Sequence, residues 1–162
     1  MRSGAVLLPW LGVAFLVAVL DQATKFLASS YLSYGVPRPV LPGFNLTLLH
    51  NTGAAFSLFH DQPGWQRWLF IAIAVVVGSG VAWWLTRLEP GQRWAPLALA
   101  LVLGGACGNL VDRVLLGHVV DFIQVYYQQW SWPAFNVADS AISVGAVMLI
   151  LRGPRAPTET DK

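Results

Sequence analysis

The stretch WLFIAIAVVVGSGVAWWLT occupies residues 68–86, contains no charged side chain and stops at Arg87. The hydrocarbon core of a bilayer is about 30 Å thick and takes about 20 largely apolar residues of helix to cross. This run has that length. Working outward, three more uncharged or nearly uncharged runs appear: GAVLLPWLGVAFLVAVL (4–20) before Asp21, WAPLALALVLGGACGNLV (94–111) before Asp112, and FNVADSAISVGAVMLIL (135–151) before Arg152. The last is short and carries Asp139.

The whole composition agrees with a membrane chain. Of 162 residues, 56% are hydrophobic and 11% charged, with mean hydropathy +0.56, which is outside the range of soluble domains. The reading is a single, mainly α, integral membrane domain with spans near 5–25, 67–87, 94–114 and 135–152. A cleaved leader is the other reading of the first run, but Asp21 and Lys25 follow it directly and the small-residue pattern LASS (27–30) lies beyond them. Cys107, the single cysteine, excludes an intramolecular disulfide.

Basic residues set the expected orientation. Arg2, the loop 87–93 and the tail 152–162 hold six Lys/Arg, whereas the longer segments 21–67 and 112–134 together hold four. By the positive-inside rule both termini and the 87–93 loop are cytoplasmic. The longer connections then lie outside, with Trp65, Trp68, Trp83, Trp84, Trp94, Tyr126, Tyr127, Trp130 and Trp132 near span ends, where amphipathic rings prefer to sit. The formal charge of +2 follows from this bias, and no basic patch with interleaved aromatics points to nucleic acid.

Between the first two spans, Phe44, Leu46 and Leu48 alternate with Asn45 and Thr47, the period of a strand. A small extracytoplasmic β-sheet is expected within 31–66. The segment 116–134 is too polar to span and too apolar for a free loop, so it reads as amphipathic and interfacial. The tail 153–162 reads as cytoplasmic and disordered.

Polar groups at span ends are costly, about 2.5–3.5 kcal/mol for Asp or Lys at a helix centre, and so need a reason. In DQATK (21–25), Asp21 and Lys25 stand four apart on one helix face and either pair with each other or position the backbone of another chain. In NTGAAFS (51–57), Asn51 offers donors and acceptors while Gly53 and two alanines permit close backbone approach; a strand-ending turn is the plainer reading. In GGACGNLVDR (104–113), Gly104 and Gly108 form a GxxxG packing face, Asn109 is left to explain, and the adjacent Asp112 and Arg113 project apart and need separate partners. In HVVDFIQVYYQQWSWPAFNVADSAI (118–142), Asn136 and Asp139 have the spacing of a helix N-cap and its third residue.

Asp121 and Asp139 together carry chemistry. Two carboxylates in a low-dielectric site do not both ionise comfortably, so one retains a proton. That yields a base to activate water and an acid to polarise a peptide carbonyl and protonate the leaving nitrogen. His50, His60 and His118 lack metal-ligand spacing, and Ser140 has no obvious lysine base.

Five strings, DQATK, NTGAAF, GGACGNLVDR, VVDF (119–122) and FNVADS (135–140), occur in the order seen in bacterial lipoprotein signal peptidases, also called signal peptidase II, and the chain resembles that family from about residue 10 to 150. The resemblance implies a four-helix aspartyl endopeptidase of the bacterial inner membrane, its active site near the outer face. It would cut prolipoproteins just before a diacylglyceryl-modified cysteine, without metal or cofactor, and be blocked by globomycin-type inhibitors. It implies Asp121 and Asp139 as catalytic, Asn51, Gly53, Asn109, Arg113 and Asn136 as substrate-binding, and Asp21, Lys25 and Asp112 as support. Prolipoprotein and membrane lipid are the implied partners. The rival class is a proton-coupled transporter using Asp21, Asp112, Asp121 and Asp139; the inner halves of the spans lack the acids such a relay needs. A presenilin-like protease would show GxGD in a span, a string the chain lacks.

Overall fold

The structure is a computed structural model that describes residues 3–53 and 64–152. Arg2, the two alanines of NTGAAFS, His60 and the tail 153–162, all read above, lie outside the described residues. In chain order the elements are α1 (Ser3–Tyr31), β1 (Arg38–Leu41), β2 (Phe44–Asn51), α2 (Trp65–Thr86), α3 (Trp94–Leu115), β3 (Val119–Tyr127), β4 (Trp130–Ser131) and α4 (Val137–Arg152).

Three helical stretches, Leu7–Tyr31, Trp65–Thr86 and Trp94–Leu115, are long and apolar enough to cross a membrane. α1 continues to Tyr31, past the end expected near residue 25, because nothing after Lys25 breaks a helix before Ser33. α4 has 16 residues, about 24 Å at 1.5 Å per residue, and is the short member of the bundle. The outer surfaces of the helices stay apolar: Leu8, Phe15, Phe26, Trp68, Val76, Ile150 and Leu151 are all exposed. In water that would be a large aggregation-prone surface; in hydrocarbon it is the ordinary solvent face.

α3 is the centre of the bundle, with Ala98, Leu99 and Ala100 fully buried. Its glycines determine what can lie against it. A Cβ added to Gly104 would stand 2.5 Å from the Ala14 carbonyl oxygen, and one on Gly108 would stand 2.5 Å from Asp21 Oδ2, so the GxxxG face receives α1. Gly105, between them in sequence, instead abuts the Ala138 carbonyl of α4. Gly145 of α4 returns the contact at Ala98 of α3. Close approach through small residues replaces the hydrophobic effect, which is absent between helices in lipid.

One antiparallel sheet of order β1-β2-β3-β4 caps one end of the bundle. The strand read at 44–51 is β2, and its partner β3 comes from the 116–134 segment, which therefore belongs to the sheet. Gly117, at φ +83°, ends α3 and reverses the chain into β3; both Leu116 N and Gly117 N donate to the Asp112 carbonyl. Asp121 pairs with Leu49 and Val119 with Asn51, with a register shift between Leu46 and Leu49. Asn51 and Asp121 thus become diagonal neighbours on one face of the sheet.

Candidate active site

The end of α4 nearest the sheet is built by reciprocal capping. Asn136 Oδ1 accepts from the Asp139 backbone N–H at 2.9 Å, and Asp139 Oδ2 accepts from Asn136 N at 3.3 Å. This is the capping-box arrangement, with Asn and Asp in the two roles. Asp21 Oδ1 accepts from Ala138 N at 2.9 Å, so a carboxylate of α1 satisfies another free N–H of the same turn.

Behind that turn lies a buried charge cluster. Lys25 Nζ stands 2.7 Å from Asp21 Oδ2 and 2.9 Å from Asp112 Oδ2, with Lys25 3% exposed and Asp21 fully buried. The pairing of Asp21 with Lys25 read from DQATK is present, and Asp21 also holds the Ala138 N–H of this same chain. Asp112 Oδ2 accepts from Val120 N at 3.0 Å, fixing the start of β3, and its Oδ1 accepts from Gln22 Nε2 at 2.8 Å. Gln22, which also donates to the Gly108 carbonyl at 3.1 Å, was not singled out from sequence. Its only signal there is a long polar side chain next to Asp21 on a helix that packs at glycines.

In front of the turn, Asp121 and Asp139 line one open cavity of about 880 Å³. Asn136 touches both: its Nδ2 donates to Asp121 Oδ1 at 2.7 Å, and its backbone and Oδ1 hold Asp139. Asp121 Oδ2 accepts from Asn51 Nδ2 at 3.1 Å, and Asp139 Oδ1 accepts from Asn109 Nδ2 at 2.7 Å. Gly53 N donates to Asn51 Oδ1 at 3.0 Å, which orients that amide. Arg113 also lines the cavity; its guanidinium lies 5.2 Å from the Phe70 ring and donates to the Asn109 carbonyl at 3.4 Å. Asp112 and Arg113, adjacent in sequence, thus find separate partners.

Asp121 is 3% exposed, and desolvation raises its carboxyl to about 7, with the negative charge of Asp139 adding to the rise and the Asn51 and Asn136 hydrogen bonds opposing it. That rise brings the titration of this carboxyl into the neutral range.

The remaining cavity wall includes Tyr34 and Ser143, which the sequence did not flag, and Trp132, Phe135 and Ser140, which the sequence offered in other roles. At the rim the His50 and His118 rings stack at 4.1 Å, with Tyr34 against His50 at 4.9 Å. Burial, followed by the neighbouring His50, pushes His118 below the usual imidazole range. Ser140 donates to the Asn136 carbonyl at 2.9 Å and supports the capping turn.

Apolar helices that gather buried carboxylates around an open cavity at one end define a helical membrane enzyme. Two solved structures described as bacterial membrane enzymes share the fold: one has TM-score 0.81 at 27% identity and covers 93% of each chain, the other 0.78 at 28% identity, covering 91% of this chain and 93% of that one. The sequence model of the family described as "Signal peptidase (SPase) II" matches residues 13–153. The chain belongs to that family and is a protease. Similar relatives are the lipoprotein signal peptidase of Pseudomonas aeruginosa, 58% identical over 146 residues (89% of this chain, 86% of that protein), and that of Acinetobacter baumannii, 54% identical over 142 residues (88% and 81%). That of Teredinibacter turnerae is 56% identical over 144 residues, covering 88% of this chain and 85% of the relative.

Proposed function

We propose that the chain is an aspartyl endopeptidase that removes the signal peptide of diacylglyceryl-modified prolipoproteins, cutting just before the lipidated cysteine. Family membership supports the substrate class, and one observation carries the chemistry: Asp121 and Asp139 face a single cavity and are bridged by Asn136. The reading includes four spans in a bacterial inner membrane, both termini cytoplasmic and the sheet outside. The lipid chains then remain in the bilayer while the scissile bond reaches the dyad. Globomycin-type inhibitors would occupy the same cavity.

In the reactive form the dyad holds one proton. The ionised carboxylate takes a proton from water as the water oxygen attacks the scissile carbonyl carbon. The protonated carboxyl gives its proton to the carbonyl oxygen, leaving a neutral tetrahedral diol. Collapse breaks the carbon–nitrogen bond, with one carboxyl protonating the leaving nitrogen and the other carboxylate recovering a proton from the diol. Water is consumed and the dyad returns to one proton. Burial of Asp121 supports its part as proton holder near neutral pH. Asn51, Asn109 and Asn136 hold the carboxylates in place, and Arg113 on the cavity wall suits a backbone carbonyl of the substrate.

The test is Asp121→Asn and Asp139→Asn in purified enzyme against a lipid-modified prolipoprotein. Each is expected to lose activity by at least about a thousandfold while keeping the thermal transition of the folded protein. Turnover near the parent rate by either variant would sink the dyad.

A further inference from the structure

We propose that Lys25 is a positioning residue of the dyad, acting through Asn109: its ammonium dictates which atom of the Asn109 amide faces Asp139. The inference rests on the aspartyl reading and adds a residue that does not line the cavity.

An ammonium has three donors and no acceptor. The atom of Asn109 at 2.9 Å from Lys25 Nζ must therefore be the oxygen. That places Nδ2 toward Asp139 Oδ1, at 2.7 Å. The orientation is not chosen by Asp139 alone, because an amide turned the other way would set its NH₂ against the ammonium. Asn136 is fixed by the same logic from the other side. Its oxygen must meet the Asp139 backbone N–H, so its Nδ2 points at Asp121 Oδ1 and at Asn109 Oδ1, 2.7 and 3.2 Å away. The two amides thus form a directed pair, anchored at one end by a helix N–H and at the other by Lys25. Asn109 Nδ2 donates to a dyad carboxylate, and Asn136 Nδ2 is shared among Asp121 Oδ1, Asn109 Oδ1 and the Val120 carbonyl, the last at 3.3 Å.

Lys25 has no donor left for substrate. Asp21, Asp112 and Asn109 take its three N–H groups. The ammonium therefore works by orientation and charge and not by proton transfer. The charged groups around Asp121 are Lys25 from α1, Asp112 and Arg113 from α3 and Asp139 from α4, with His50 near it on β2; of these, Lys25 draws the Asp121 carboxyl toward its ionised form.

The experiment measures kcat, KM and the pH dependence of kcat for Lys25→Met, Lys25→Arg and Asn109→Asp in detergent-purified enzyme, with Asp139→Asn in parallel and a lipid-modified prolipoprotein as substrate. Lys25→Met is expected to lower kcat tenfold to a hundredfold, about the loss of one hydrogen bond to a charged group, with KM unchanged and the alkaline limb moved to higher pH. Lys25→Arg restores the position of that limb. Asn109→Asp leaves the Lys25 ion pairs with Asp21 and Asp112 in place but removes the donor to Asp139 and adds a carboxylate beside it, so it tests the Asn109 arm of the proposal even if Lys25→Met does not fold. A purely packing role would lower thermal stability or the fraction of active enzyme without moving the limb. Parent-like kcat and pH profile in Asn109→Asp, or an unmoved limb in folded Lys25→Met, overturns the proposal. If Asp139→Asn stays fully active, the dyad reading itself has failed instead.

Discussion

Two carboxylate pairs lie a few side chains apart in this molecule, and they are treated in opposite ways. Asp21 and Asp112 share one ammonium, and each also accepts a backbone N–H from another element. Asp121 and Asp139 accept instead from Asn51, Asn109, Asn136 and the capping N–H, all of them neutral donors. Asp21, Asp112 and Asp121 are buried, with Asp112 2% and Asp121 3% exposed, and Asp139 is half-buried. Asp112 and Asp121 therefore differ in their partners more than in their burial. A cation at contact cancels charge and leaves a rigid support; neutral donors hold a carboxylate in place without settling its protonation, which is what acid–base chemistry needs.

The sharpest way to break the contrast is activity against stability. Asp121→Asn and Asp139→Asn should lose at least about a thousandfold in rate with the fold retained. Asp21→Ala should do the reverse first, removing about 3–5 kcal/mol of stability by stranding Lys25 and an N–H of α4, as read by thermal unfolding in detergent. If Asp21→Ala melts like the parent, the support role fails. Next in size, Gly108→Ala should cost about 1–3 kcal/mol, because its Cβ would meet Asp21 Oδ2 at 2.5 Å, while Gly80→Ala, with nothing within 4 Å, should be tolerated.

A smaller effect separates the pairs by pH. Folded Asp121 keeps its proton up to about 7, whereas the unfolded chain releases it near 3.8. Between those values the folded state binds more protons, so stability falls as pH rises through the window and levels off above it. Asp121→Asn does not titrate there, and its melting temperature should gain on the parent's as pH rises through that window. A constant gap from pH 4 to 8 would contradict the raised carboxyl. Smallest, Arg113→Ala should weaken substrate or globomycin binding by about tenfold, with less change in kcat.

Much of the site was legible because its parts are local. The four-residue spacing of Asp21 and Lys25 and the three-residue spacing of Asn136 and Asp139 are helical contacts, and both appear as such. The sheet was legible on one side only. β2 alternates in sequence from Phe44 to Leu48, but Val119, Val120, Asp121 and Phe122 at the start of β3 are buried in succession, so no period-2 pattern survives there. Gly105 was hidden between two glycines of a familiar motif, although it alone of the three faces α4. Gln22 could not be assigned because its partners lie 86 and 90 residues away.

The brevity of α4 has its own consequence. On the four-span reading, a helix of about 24 Å must serve a hydrocarbon layer of about 30 Å. The shortfall of about one helical turn falls at the end that carries Asp139 if the Arg152 end keeps its own interface. The bilayer beside α4 is then pinched, and polar surface water is drawn down toward the dyad while the rest of the bundle keeps ordinary thickness. Helix length becomes a gauge of depth: on the same reading, one turn added to α4 would lift Asp139 by about 5.4 Å relative to the Arg152 end.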